Sequence, residues 1–176
     1  MSVVAEGFIC LALSNLRSQL SSCARFQSWC GAESDAEAAA RIHIVCLPPP
    51  RSGGEHTREE LETYRPYVLL SAHSLQMMGD SGGAHLQYLV RGSAELHFEQ
   101  DVPEALRDTH SDLCLTFLND IGVILDEFFN KCGASGGMSA LDITWRDAVM
   151  YRSLPRDVPA LGDAVATDFG LTYEGL

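Results

Sequence analysis

The sequence predicts an α+β domain in which two main helices pack on one face of a mostly antiparallel sheet of about five strands. Two long segments repeat apolar residues every three or four positions, which is typical of amphipathic helices. Residues 162–176 alternate apolar and polar side chains, which is typical of a half-buried strand. A strand at the end of the chain has to be held by earlier strands. We therefore expect the order α-β-β-β-α-β-β within one domain, residues 1–176.

The first main helix is expected over residues 4–20, and the apolar pattern weakens beyond it and stops at Gly31. Ser34 and Glu37 have the spacing of a capping box and predict a short helix over residues 36–40. The apolar stripe of the first helix is formed by Ile9, Leu13, Leu16, Leu20 and Cys23.

A continuously apolar run over residues 42–47 predicts a buried first strand, which the three prolines at 48–50 end because proline cannot donate to a sheet ladder. The following segment is polar, and Thr57 and Glu60 are spaced to cap one or two helical turns. We expect residues 48–66 to form a flexible, proline- and glycine-rich excursion from the core.

Residues 67–72 predict the second strand, and residues 86–98 predict an unusually long third strand with Gly92 as a bulge or bend. The second main helix is expected over residues 109–130, and residues 141–146 predict the fourth strand. The inward side of that helix is expected to carry Leu113, Phe117, Ile121, Ile124, Leu125 and Phe128.

The closing strand divides its side chains between two faces. We expect Val165, Phe169 and Leu171 to face the helices of the domain. The opposite face is left for solvent or for a neighbouring subunit, and it carries Asp168, Thr172 and Glu174.

The charge of the chain disfavours tight binding of nucleic acid. The net charge is −12, and Lys131 is the single lysine of the sequence. Acidity can serve solubility, or it can form a surface past which DNA slides without sticking.

No run of about 18 apolar residues occurs, so no membrane span is expected. No basic segment precedes the apolar N-terminus, so synthesis in the cytoplasm is expected.

The six cysteines contain no Cys-x-x-Cys pair, which argues against a zinc ribbon or a redox motif. We expect reduced and largely buried thiols. The positions are Cys10, Cys23, Cys30, Cys46, Cys114 and Cys132.

The string over residues 79–83, Gly-Asp-Ser-Gly-Gly, matches the nucleophile motif of chymotrypsin-like serine proteases. A small serine hydrolase using Ser81, with His73 as its base, is therefore one alternative. His73 lies only eight residues before Ser81, and a string rich in glycine, aspartate and serine between two strands is typical of a hairpin turn. We favour the turn.

No other pattern predicts catalysis. The six histidines lack metal-site spacing. Asp120, Asp126 and Glu127 on the second main helix are expected to form a solvated face rather than an acid and base pair. We expect no enzyme activity and no catalytic, metal-binding or cofactor-binding residue.

Four segments resemble the tail terminator, or tail-completion, family of long-tailed bacteriophages. They are the Leu-x-x-Leu-Arg-x-x-Leu helix at 13–20, the Phe-Gln-x-Trp-x-Gly-Ala string at 26–32, the Ala-Ala-x-Arg-Ile-His string at 38–43 and the Pro-Ala-Leu-Gly-Asp run at 159–163. The element order is similar to that family over nearly the whole chain.

The resemblance implies a structural virion protein, assembled in the host cytoplasm and located in the tail or neck. It implies a ring of identical subunits, expected to be a hexamer, which caps the tail tube and contacts a neck or connector protein. DNA would pass through the ring without specific binding. A head–tail connector or neck adaptor is the alternative of the same class.

The candidate interface residues lie in the excursion, on the long third strand and on the last strands. They are Arg51, Glu55, Arg58, Arg91, Glu95, Arg146, Arg152, Asp168 and Glu174.

Overall fold

A mixed sheet forms the centre of this α+β protein, with its long helices on one face. The computed structural model describes residues 7–51, 53–79, 88–102, 110–134, 144–150, 156–157 and 164–175. The helices are α1 (Phe8–Ser21), α2 (Ala24–Cys30), α3 (Asp35–Ala40), α4 (Arg58–Tyr64) and α5 (His110–Ala134). The strands are β1 (Ile42–Ile44), β2 (Tyr67–Gly79), β3 (Tyr88–Asp101), β4 (Thr144–Met150), β5 (Arg156–Asp157) and β6 (Ala164–Gly175).

The strands lie in the order β1-β2-β3-β6-β4, and β5 pairs with β6 beside that path. Strand β1 runs parallel to β2, whereas every other pairing is antiparallel. The α+β class is therefore as predicted. The predicted five strands and their exact order are not confirmed: the described residues hold four long strands and the short β1 and β5, and three short helices interrupt the order.

The N-terminal helices follow the local signals of the sequence. Gly31 has φ +66° and ends α2 in the left-handed conformation that glycine adopts without strain. The Ser34 side chain accepts a hydrogen bond from the Glu37 N–H and caps α3. The predicted capping box is only half formed, because the Glu37 carboxylate accepts from the Glu33 N–H instead.

The break between α1 and α2 is held by α5, which the sequence did not predict. The Glu127 carboxylate accepts hydrogen bonds from the Ala24 N–H at 2.9 Å and the Arg25 N–H at 2.7 Å. One turn later on α5, the Lys131 ammonium donates to the Ser22 carbonyl oxygen. The carboxylate lies at the positive N-terminal end of the α2 dipole, and the ammonium lies at the negative C-terminal end of the α1 dipole. Both interactions are therefore favourable. Glu127 is therefore a helix cap, although it stays partly exposed to solvent as predicted.

The core lies between the long helices and one face of the sheet. The predicted inward side of α5 is buried at Phe117, Ile121, Ile124, Leu125 and Phe128, whereas the side chain of Leu113 lies outside the described residues. The closing strand contributes Val165, Phe169 and Leu171 to the same core, as predicted. The helix stripe of α1 and the sheet residues Ile42, Val68, Leu70, Leu96 and Phe98 complete it.

The segment after β1 differs from the prediction. The run expected to be a buried strand over 42–47 is a strand only at Ile42–Ile44, and the backbone leaves it at Val45 with φ +71°. Helix α4 has the complete capping box of Thr57 and Glu60 and buries Leu61. The mobility expected of residues 48–66 is not tested by these contacts and stays a prediction.

The bulge expected at Gly92 in β3 lies instead in the neighbouring strand β2. Gly92 pairs in regular register with Leu75 and Tyr173, whereas the register of β2 shifts between Ala72 and Ser74. Gly92 is required for a different reason. A Cβ atom there would overlap the buried ring of Tyr173, which lies across the glycine at Cε2 2.8 Å from the Cβ position.

Replacing Gly92 with alanine is therefore expected to lower the free energy of unfolding by about 1–3 kcal/mol, because the Tyr173 ring has to move out of a packed core. Gly122→Ala is the matched control. Its Cβ on α5 meets no atom within 4 Å, and removing a helical glycine should raise stability by about 1 kcal/mol. Urea denaturation measures the unfolding free energy of both variants. Equal changes of the same sign would contradict the prediction.

Candidate functional site

The sheet face opposite the core, called the open face below, carries a network of charged side chains. Cross-strand register places Tyr67 beside Glu99, and His97 beside Asp168, on this face. Arg65 precedes β2 and reaches the same cluster. We call these five side chains the polar network.

One carboxylate is the centre of the polar network. Glu99 Oε1 accepts from Arg65 Nε at 2.7 Å, and Glu99 Oε2 accepts from the Tyr67 hydroxyl at 2.8 Å. Arg65 also donates from Nη1 to Asp101 Oδ1 at 3.1 Å. The side chains of Arg65 and Glu99 are only 1% and 4% exposed, so this ion pair is shielded from water. Breaking it would leave a buried charge without compensation.

His97 extends the polar network to β6. Its Nδ1 lies 2.5 Å from Asp168 Oδ1, and its Nε2 lies 3.3 Å from Glu99 Oε2. Burial by itself lowers the pKa of His97, but the hydrogen bonds to the two carboxylates outweigh it and raise that pKa above its usual value. The pKa of Glu99 is raised by burial, yet its three hydrogen-bond donors hold it below the usual range.

These contacts decide what the polar network can do. Both ring nitrogens of His97 face carboxylates, so the charged imidazolium is favoured and neither nitrogen is left to accept a proton from a nucleophile. The pKa of Tyr67 is raised by burial and by the adjacent Glu99 charge, so its hydroxyl stays a donor. The arrangement therefore links β2, β3 and β6 and has a structural role.

A second feature is the outer side of β1, which we call the β1 edge and which comprises Ile42–Cys46. Ile44 and Val45 are 37% and 68% exposed, although both are large apolar residues. Val45 has a left-handed backbone, which is an outlier for a β-branched residue. It is held there because its N–H donates to the Leu70 carbonyl oxygen at 2.7 Å. Such strain is typical of functional positions.

A cleft of about 570 Å³ opens beside the β1 edge. Its walls come from α3, β1 and the end of α4, and they include Arg41, His43 and Tyr64. Arg41 donates to the Thr63 and Tyr64 carbonyl oxygens, which fixes the end of α4 against this wall. Burial and the nearby arginines lower the pKa of His43, so its ring is neutral and polar. The lining of the cleft thus combines two aromatic rings with one arginine and one carboxylate, Glu37.

The predicted interface residues fall into two groups. Arg51, Glu55 and Arg58 are exposed together on the segment around α4, where Arg58 pairs with Glu62 at 2.9 Å. The second group lies on neighbouring strands of the sheet, where Arg91 is opposite Glu174 in register and Glu95 is opposite Gly170.

The remaining predicted positions are described only in part. Asp168 is bound to His97 within the chain and is half-buried rather than left fully to solvent. Arg146 lies in β4 and His73 in β2, but their side chains and that of Glu174 are outside the described residues, as are Arg152 and Ser81. The serine motif is therefore not tested.

The cysteines follow the prediction in part. Cys23 and Cys30 are buried and form no disulfide, whereas Cys10 and Cys46 are exposed. The side chains of Cys114 and Cys132 lie outside the described residues. Among the described residues, no group of three or more histidine, cysteine and acidic side chains has the geometry of a metal site. No helix in the described part of the chain is long and apolar enough to cross a membrane.

Comparison of the sequence with protein-family models and with curated proteins finds no match. The site is therefore interpreted from its own geometry and from the pattern of the sequence.

Replacing Arg65 with methionine should cost about 3–5 kcal/mol of unfolding free energy, because it leaves the buried Glu99 charge without its main partner. Arg58→Met removes the solvent-exposed ion pair between Arg58 and Glu62, and it should change the unfolding free energy by less than about 0.5 kcal/mol. Guanidinium denaturation of the two variants measures the contrast. Equal losses of unfolding free energy would contradict the prediction that the buried ion pair matters more for stability than the exposed one.

The polar network also predicts a pH dependence. Because folding raises the pKa of His97 above 6.5, its stabilising contribution is complete below that pH and is lost as the pH rises through the folded-state pKa. The stability difference between the wild type and His97→Gln should therefore shrink as the pH is raised from about 6 to about 9. Asp168→Asn should make the contribution of His97 to stability depend less on pH. A difference that grows with pH would contradict the assignment.

Proposed function

We propose that this chain is a structural virion protein, a ring-forming tail terminator that caps a phage tail tube and joins it to the neck. It would act without a catalytic step or a cofactor. The resemblance of its helix, string and closing-strand patterns to that family motivates the proposal, and the architecture of the sheet supports it.

The observation that carries the proposal is the open sheet with unlike edges. One end of the strand order is the short parallel strand β1, and the other end is the antiparallel strand β4. When two different surfaces of identical subunits meet head to tail, the assembly closes into a ring if the rotation allows it. The exposed apolar residues Ile44 and Val45 lie at the first of these edges, where a neighbour would bury them.

The charge distribution supports passage of DNA through such a ring. The segment 41–66 holds four arginines and four glutamates, so the whole net charge of −12 lies outside it. On the open face Asp101 and Asp168 are paired with Arg65 and His97, so the excess of acidic residues comes mainly from other parts of the chain. An acidic lumen repels the phosphate backbone and allows DNA to slide.

The proposal predicts the size and shape of the purified protein. Size-exclusion chromatography with light scattering should give a particle of several 19.2 kDa subunits, expected to be six, and negative-stain images should show a closed ring with a central hole. A monomer at high concentration, without rings in the images, would contradict it.

A second measurement separates the tail terminator from the neck adaptor. Rings added to purified tail tubes of the same virus should bind one end of each tube and stop further polymerisation. Rings that bind only the neck or connector protein, and never a tube end, would favour the neck adaptor instead.

A further inference from the structure

We propose that a cleft between α2 and α5, called the α2–α5 cleft below, binds a neutral saccharide of one or two sugar rings. Its volume of about 460 Å³ is within the range of about 300–1,000 Å³ that is typical of small-molecule sites. The inference goes beyond the proposed ring and does not depend on it, because one subunit supplies every group. The side chains that the argument uses are Arg25, Ser28 and Trp29 of α2, Gln100 of β3, and Asn119 and Asp120 of α5.

The indole of Trp29 gives the cleft a rigid apolar wall. Its ring centroid lies 5.7 Å from the centroids of both Phe26 and Phe98, and these two rings are fully buried. Its Nε1 donates to Gln100 Oε1 at 2.6 Å, which fixes the two side chains relative to each other. Trp29 itself is only partly buried. A held indole that lines a cleft offers an apolar surface for the C–H groups of a sugar ring.

The polar side chains of the cleft have hydrogen-bonding groups to spare. Because Gln100 Oε1 accepts from Trp29, its amide NH2 is left to donate to a ligand. Arg25 bonds to Glu127 through its backbone N–H, and its guanidinium makes no hydrogen bond or ion pair within the described residues. Over the same part of the chain, this is also true of the side chains of Ser28, Asn119 and Asp120.

The cleft holds opposite charges that do not pair. Arg25 and Asp120 both line it, yet no ion pair joins them in the part of the chain that the structure describes. Asn119 adds an amide that both donates and accepts. The lining therefore offers donors and acceptors in one space, and its two charges cancel.

A sugar matches this lining better than other small ligands. Each sugar hydroxyl both donates and accepts, so it binds best where a donor such as Arg25 and an acceptor such as Asp120 share a cleft. An anionic ligand is disfavoured, because Asp120 and the net charge of −12 repel it. An apolar ligand is disfavoured as well, because it would cover both charges without giving them hydrogen bonds.

Titration with a panel of neutral mono- and disaccharides tests the ligand class. The chain has two tryptophans, so Trp145→Phe leaves Trp29 as the single reporter of fluorescence. At least one sugar of the panel is expected to change this fluorescence with a Kd of about 1 mM or below. Calorimetric titration of the wild type gives the same constant without any substitution. Acetate and glycine serve as an anionic and a zwitterionic probe, and both should bind more weakly than that sugar.

Two substitutions at the surface locate the site. Asp120→Ala and Arg25→Ala each remove a charged hydrogen-bonding partner, and each should weaken sugar binding about tenfold. Asp126→Ala is the matched control, because it removes an exposed carboxylate of the same helix that does not line the cleft. This variant should bind as the wild type does, and circular dichroism checks that all three variants fold.

Each outcome decides the inference separately from the proposed ring. No binding of any sugar of the panel at up to about 10 mM would overturn it. Acetate or glycine binding more tightly than every sugar would overturn the ligand class. Equal affinities of the Asp120, Arg25 and Asp126 variants would overturn the location. The light-scattering mass of the wild type tests the ring independently of all three results.

Discussion

The buried ion pair between Arg65 and Glu99 is the constraint on which the surface features of the protein depend. Glu99 binds Arg65 with one oxygen and Tyr67 with the other, while His97 connects the same carboxylate to Asp168 on β6. Three strands are therefore tied together on the open face. Arg65 is also the residue that ends α4, so the pair fixes where that helix lies on the sheet.

The position of α4 in turn shapes the β1 edge. Its last residues accept hydrogen bonds from Arg41, and the ring of Tyr64 stacks edge-on against His43 with centroids 5.8 Å apart. These contacts form the wall of the cleft beside β1. The two faces of the sheet thus have separate roles: one buries the long helices, and the other uses charged groups to set the geometry of an exposed edge.

The sequence predicted what local periodicity and capping determine. The stripe of α1, the inward side of α5, the end of α2 at Gly31 and the cap at Thr57 are all local signals, and the structure has them. Contacts between distant residues were missed, because no local pattern marks them. Arg65 and Glu99 are 34 positions apart, and Glu127 caps a helix that begins 103 positions earlier. The exposure of Ile44 was missed because a short apolar run reads as buried whether or not it lies at a sheet edge.

The central claim is that the two unlike edges of the sheet allow identical subunits to assemble into a ring. Cryo-electron microscopy of the purified protein tests it most directly, because it shows both closure and the elements in contact. The account predicts a closed ring of identical subunits around a central channel, with the β1 edge buried between neighbouring subunits. Isolated monomers, or pairs joined through some other surface with the β1 edge left in solvent, would contradict it.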